Sequence, residues 1–248
     1  MMLQADNVQK RFGNTTILED VSLAVSSGEI VGLVGASGAG KTLLSRCIVG
    51  LESMDSGTVR ANGTILGPNA HRFDPAAQHI RALVGLVSQS HRLPAYRRVE
   101  QIIGEGPRVV RRLGRSEVKA HVRKWADRLG LTEHLHKFPL ELSGGQLARV
   151  LLARVAVLEP RFLICDEMTA NLDPATAGDV ADIMASLATH GVGLLVISHQ
   201  FDFLRRNAKR VVVMADGYIV EDGDPEQVFS DPQSQEGRRF LAAALRGR

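Results

Sequence analysis

The chain has 248 residues, 44% hydrophobic and 23% charged, a balance that excludes disorder and supports one large well-cored domain, or a domain with an inserted subdomain. Its net charge of +3 is only mildly basic, which leaves open contact with a membrane protein's loops or with a phosphate-rich polymer. Apolar runs such as "VGLLVIS" (Val192 to Ser198) fall far short of the roughly 18 residues that a bilayer crossing needs, and the N-terminus shows no signal-peptide pattern, so a cytosolic protein is expected. Cys47 and Cys165 lie far apart in apolar segments, which favours buried free thiols over a disulfide or a metal site.

In chain order, residues 1 to about 35 carry short alternating runs punctuated by glycine, the pattern of antiparallel strands leading into the apolar strand Ile30 to Val34. "GASGAGKT" (Gly35 to Thr42) follows and opens a helical stretch. The spacing Gly35, Gly40, Lys41, Thr42 fits G-x-x-x-x-G-K-[ST], whose glycines let backbone N–H groups converge on one small volume, an anion site. Lys41 can set a compact charge against nucleotide phosphates, Thr42 can offer its hydroxyl to Mg²⁺, and Ala36, Ser37, Gly38, Ala39 and Leu43 complete the cradle. A chance glycine turn is the bland reading, and the strand before and helix after the motif argue against it.

"SGTVRANGTIL" (Ser56 to Leu66) reads as a hairpin, and "ALVGLVS" (Ala82 to Ser88) as a strand that ends before Gln89. From about Val99 to Leu131 helical spacing takes over, with Val118, Val122, Trp125, Ala126 and Leu129 on one face of an inserted helical region. The arginines between Arg92 and Arg115 are either a solvated helical face or a contact surface. "LSGGQ" (Leu142 to Gln146) then precedes a helix. By itself it is a serine-capped helix start, or a second phosphate-seeking nest formed by Ser143, Gly144, Gly145 and Gln146. "FLICDE" (Phe162 to Glu167) places Asp166 and Glu167 at the carboxyl edge of a buried strand, where open α/β sheets bind ligands. There Asp166 can hold Mg²⁺ with Thr42, and Glu167 can polarise an attacking water. "GLLVISH" and "RVVVMADG" are two further buried strands, which gives an α/β fold with a mostly parallel sheet and an N-terminal antiparallel β-subdomain.

Taken together, the phosphate loop, the acid pair and "LSGGQ" resemble the ATP-binding cassette ATPases, and the likeness covers nearly the whole chain as a single nucleotide-binding domain, 1–248, with a helical subdomain at about 90–150. Gln89 matches the family's glutamine loop, "NLDP" (Asn171 to Pro174) its dimer-contact loop, His199 its switch histidine, and Phe12 the aromatic that stacks on adenine. The resemblance implies a head-to-tail homodimer or heterodimer of nucleotide-binding domains with ATP and Mg²⁺ between them. Residues 35–42 of one chain would face Ser143, Gly144 and Gly145 of the other, with Glu167 as general base, His199 steadying the γ phosphate, and Gln89 sensing the metal.

Among cassettes, "VQKRFGNTTILEDVSL" and "EDGDPEQVFSDPQSQEGRRFL" look most like ATPase subunits of bacterial polar amino acid importers. That likeness implies membrane permease partners, an extracytoplasmic solute-binding protein, and a place on the cytoplasmic face of the inner membrane, with no nucleic acid expected. Two alternatives stay open, an exporter's ATPase and an ATP-driven switch acting on ribosomes or nucleic acid. One cassette with roughly 100 residues between Lys41 and Ser143 speaks against the second, because ribosomal cassettes are generally tandem and chromosomal ones are split by a long coiled coil. Leu43, Met168 and the pair Ala170 and Asn171 depart from the family pattern. Leu43 stands where a hydroxyl is common, so one side-chain bond to the α phosphate, of order 1 kcal/mol, is missing.

Overall fold

The computed structural model describes residues 1–88 and 93–246. The strands β1 (Met2–Phe12) and β2 (Thr15–Ser26) pair antiparallel, and β3 (Ile30–Gly35) leaves them for a second sheet before the loop that enters α1 (Lys41–Ile48). A hairpin, β4 (Ser56–Ala61) and β5 (Thr64–Leu66), adds to β1, which completes a four-stranded antiparallel sheet of order β2-β1-β4-β5. The expected strand Ala82 to Ser88 is shorter than its apolar run. Asp74 accepts from the Ala76 N–H at 2.8 Å and starts the helix α2 (Pro75–Leu83), whose hydrogen bonding consumes Ala82 and Leu83 before β6 (Val84–Ser88) begins.

Two helices, α3 (Val99–Val109) and α4 (Arg115–Arg128), form the inserted region and pack on α5 (Gly144–Ala156). Val122, Trp125, Ala126 and Leu129 are buried as their spacing predicts, and Val118 is partly buried against them. The chain then alternates β7 (Phe162–Asp166), α6 (Pro174–Thr189), β8 (Gly193–Ile197), α7 (Phe201–Asn207) and β9 (Arg210–Ala215), and closes with β10 (Tyr218–Gly223), α8 (Pro225–Ser230) and α9 (Gln235–Arg246). The second sheet has the order β10-β9-β3-β8-β7-β6, parallel throughout except for the β9/β10 pair.

Period-two alternation divides the core between the faces of this sheet. Leu163, Cys165, Leu194, Val196, Val211 and Val213 look toward the helical region. Phe162, Ile164, Leu195, Ile197, Val212 and Met214 look toward α1, α2 and the antiparallel sheet. Cys47 and Cys165 are free and buried as expected, and burial pushes both thiols up to about 12. Among the described residues, no helix is long and apolar enough to cross a membrane.

Candidate functional site

The parallel order brings the carboxyl ends of β3, β7 and β8 to one edge, and the chemistry-bearing residues follow from that topology. After β3 the backbone turns tightly. Gly35 has φ 153 and passes so close to the Met214 carbonyl that a Cβ would clash with it, while Gly38 and Gly40 take φ 85 and 101. Gly40 is the N-cap of α1 and supplies no side-chain cap, and no acidic residue stands in the first turn, so the helix's positive end meets no side-chain anion of its own.

Ala36, Ser37 and Gly38 are exposed on the loop, Ala39 is buried beneath it, Thr42 is exposed on α1, and Leu43 packs partly against the core on the antiparallel-sheet side. Lys41 folds back over the loop. Its Nζ donates to the Gly35 and Ala36 carbonyls, each at 2.7 Å, and only 6% of the residue is exposed. Burial lowers the pKa of this ammonium, while the nearby carboxylates of Glu167 and Asp166 act in the opposite direction. Loop, lysine and acid pair therefore share one electrostatic site.

Asp166 ends β7 and is 3% exposed. Glu167 follows in the left-handed region at φ 52, held by a 3.0 Å bond from its N–H to the Ile197 carbonyl at the end of β8. For a glutamate this conformation is costly, by about 1–3 kcal/mol, and it turns the side chain out of the sheet. Glu167 Oε1 comes to 3.4 Å from His199 Nε2, and the two border a cleft of about 660 Å³ with Thr169, Leu172 and Asp182. Met168, which departs from the family pattern, is simply buried in the core on the helical side. Phe12 lies half exposed at the end of β1, with Lys10 Nζ 5.2 Å from its ring centre; Lys10 is in turn paired with Glu52 and Asp55, at 3.6 Å each.

The "LSGGQ" segment starts α5. Ser143 and Gly144 are exposed, whereas Gly145 is buried against Thr176, whose methyl leaves no room for a Cβ, and Gly144 faces Leu172. Ser143 Oγ accepts from the Gln146 N–H at 3.3 Å, and Gln146 Oε1 accepts from the Ser143 N–H at 3.0 Å. The Gln146 amide is thus engaged within its own chain and also reaches His134, with Nε2 to Nε2 at 3.1 Å. Asp173 of "NLDP" caps α6. It accepts from Thr176, which holds its carboxyl below the usual range. The contacts of His134, Thr176 and Met214 could not be read locally, since each acts on a motif that is distant in sequence or belongs to another element.

Gln89 and Arg92 lie outside the described residues. The rest of the arginine-rich segment is not uniformly solvated. Arg97 pairs with Glu105 at 2.5 Å, Arg111 with Glu159 at 3.4 Å, and Arg98 lies over the Phe138 ring. Between α3 and α4 an open groove of about 1180 Å³ is bordered by Arg97, Arg108, Arg115, Lys119 and Arg123, with Glu100 among them.

A family profile described as ABC transporter matches residues 18–170, more than half the chain. The chain is 38% identical over 244 residues to the glutamate transport ATP-binding protein GluA of Corynebacterium efficiens, covering 98% of this chain and 99% of that one. It is 34% identical to the arginine transport ATP-binding protein ArgV of Corynebacterium glutamicum, covering 99% of both chains. With the glutamate/aspartate import ATP-binding protein GltL of Escherichia coli the figure is 36%, covering 98% of this chain and all of that one.

Proposed function

We propose that this chain, which belongs to the ABC transporter family and is an ATP-binding, ATP-hydrolysing protein of that family, powers import of a polar amino acid through a membrane permease. The carrying observation is the full-length likeness to proteins named for glutamate, arginine and glutamate/aspartate transport. The likeness runs over almost the whole of each chain, so the whole is read as one nucleotide-binding unit whose α3–α5 region faces the permease.

In this reading residues 35–42 receive the ATP phosphates on backbone N–H groups and on Lys41, whose internal bonds to Gly35 and Ala36 give way to the ligand. Phe12 is exposed and available to stack on adenine. The Thr42 hydroxyl and Asp166 carboxylate, with Gln89, are oxygen donors of the kind Mg²⁺ takes, and the electrostatic closeness of Asp166 to Lys41 supports this donor set. When bound, Mg²⁺ would neutralise charge on the phosphates. Glu167 takes the proton of the attacking water, and the 3.4 Å approach of His199 Nε2 to Glu167 Oε1 supports a role for the histidine in steadying the same water and the γ phosphate.

Ser143 and Gly144 are exposed and do not line the cleft beside Glu167 and His199, which supports a second cassette as the source of the signature contact, in a head-to-tail dimer. A site split in this way works only when closed, because phosphoryl transfer depends on positioning and charge stabilisation. ATP then draws the cassettes together, hydrolysis lets them part, and that motion drives the permease; an extracytoplasmic solute-binding protein completes the importer.

Two assays on source cells test the reading: purification of the tagged chain from membranes, and uptake of labelled glutamate, glutamine and arginine in cells lacking it. Co-purification of a permease with a solute-binding protein, and loss of uptake of one of these amino acids, is the expected result. Recovery on ribosomes, or accumulation of a compound inside the deletion strain with uptake intact, overturns it.

A further inference from the structure

We infer that His134 is a positioning residue for the signature segment: its Nε2 lone pair holds the Gln146 amide in the orientation that fixes the start of α5. The inference rests on the reading of Ser143 to Gln146 as the surface that closes on ATP. It begins from a choice of proton. A backbone N–H can only donate, so the 3.0 Å bond from Ser143 N–H requires Gln146 to present its oxygen there. The amide's NH₂ must then face His134 at 3.1 Å, and His134 Nε2 must accept. This contact is served by the tautomer that carries the ring proton on Nδ1.

That Nδ1 is buried and finds no hydrogen-bond partner among the described residues. An unpartnered buried N–H is unfavourable, and the opposite tautomer would face Gln146 donor to donor. The ring thus sits where only one role satisfies its neighbour, that of an acceptor for Gln146. The relay runs from the short 3₁₀ turn Thr132–His134 through Gln146 to the N–H of Ser143, and Ser143 Oγ returns a bond to the Gln146 N–H at 3.3 Å. Ser143 and Gly144 are exposed, Gly144 faces Leu172 and Gly145 faces Thr176, and this relay ties the outer face of the motif to the turn that carries His134. A glutamine acceptor is sequence-legible as part of "LSGGQ", but its histidine partner lies 12 residues upstream with no motif to mark it.

Three substitutions of His134 in the full-length protein separate acceptor from donor and from mere bulk. His134→Gln can place Oε1 near the Nε2 position and should keep parent kcat. His134→Lys offers donors only, and His134→Leu offers neither. Both should lower kcat about three- to tenfold, the value of one hydrogen bond, while KM for ATP stays within about twofold because the phosphate loop is untouched. Steady-state ATPase gives the split, and circular dichroism checks that each variant is folded. If His134→Leu does not fold, the Gln and Lys pair decides. Equal kcat for His134→Gln and His134→Lys overturns the inference. Ser143→Glu serves as the reference: if it is inactive while all three His134 variants match the parent, His134 has no positioning role and the signature reading stands. If Ser143→Glu is itself fully active, the signature reading fails first.

Discussion

The glycine-rich starts of α1 and α5 treat their orphan N–H groups in opposite ways. At α1 the N-cap is Gly40 in a left-handed conformation, with no side chain to accept from the first turn; at α5 Ser143 and Gln146 cap one another. The first leaves the positive end of its helix to an outside anion and covers the remaining charge by folding Lys41 onto the loop's carbonyls. The second is complete in the free chain, so it can be a stable exposed surface that offers a hydroxyl to a ligand held elsewhere.

The largest effect should come from Glu167→Gln, which leaves both helix starts intact and removes only the base. Hydrolysis should fall about 10²- to 10⁴-fold while ATP binding persists. Size-exclusion chromatography with ATP should then show a lasting dimer, since neither gripping nor covering has been impaired. Hydrolysis near the parent rate would remove Glu167 from this role.

Glycine-to-alanine changes on the two sides should differ in kind. Gly35→Ala puts a Cβ into the Met214 carbonyl at φ 153, with backbone on both sides of the clash, so the loss should be about 2–4 kcal/mol with no single-site rescue. Gly145→Ala meets only the Thr176 methyl and otherwise occupies a helical position that alanine favours. It should cost about 1–3 kcal/mol and be largely restored by Thr176→Ser, which removes that methyl. Urea midpoints of the two single variants and of Gly145→Ala with Thr176→Ser give both answers; a failure of Thr176→Ser to restore Gly145→Ala would erase the distinction.

The smallest effect concerns the tether at the far end of α5. Glu159 is bonded to Lys124 at 2.7 Å and to Arg111, and these bonds hold its carboxyl below the ordinary range. A carboxylate depressed in the folded state contributes stability above its unfolded pKa and loses it as pH falls through the folded value. Glu159→Gln should therefore cost less than about 1 kcal/mol at neutral pH, because the pair is partly exposed, and nothing once Glu159 is protonated. Thermal midpoints of parent and variant, compared from pH 7 downward, should converge.

Much of this was legible in the residues themselves. The turn at Gly35 to Thr42, the acids closing a buried strand, and the hairpin at Ser56 to Leu66 are each specified by local chemistry: glycine where φ is positive, charge where a strand surfaces, alternation where one face is buried. What escaped was contact between distant segments. Nothing near "ALVGLVS" says that α2 will claim Ala82 and Leu83, because the deciding signal is Asp74 capping from eight residues upstream. Likewise Thr176 limits Gly145, Met214 limits Gly35, and His134 engages Gln146 only because the topology folds them together. The arginine segment was ambiguous for the same reason, since Glu105 and Glu159 neutralise part of it from other turns.

The division between gripping and covering is tested most directly by mixing two lesions. Lys41→Ala removes the phosphate charge from the loop, and Ser143→Glu sets a carboxylate against the γ phosphate, so each pure variant should be inactive. In a mixed dimer one site carries both lesions, while the other joins an intact loop to an intact signature. Random pairing makes about half the dimers mixed, so steady-state ATPase of the mixture should rise from near zero toward at most roughly a quarter of the parent's, at concentrations where dimers form. Clear activity from either variant alone would mean a site completed within one chain, and the head-to-tail arrangement would be wrong.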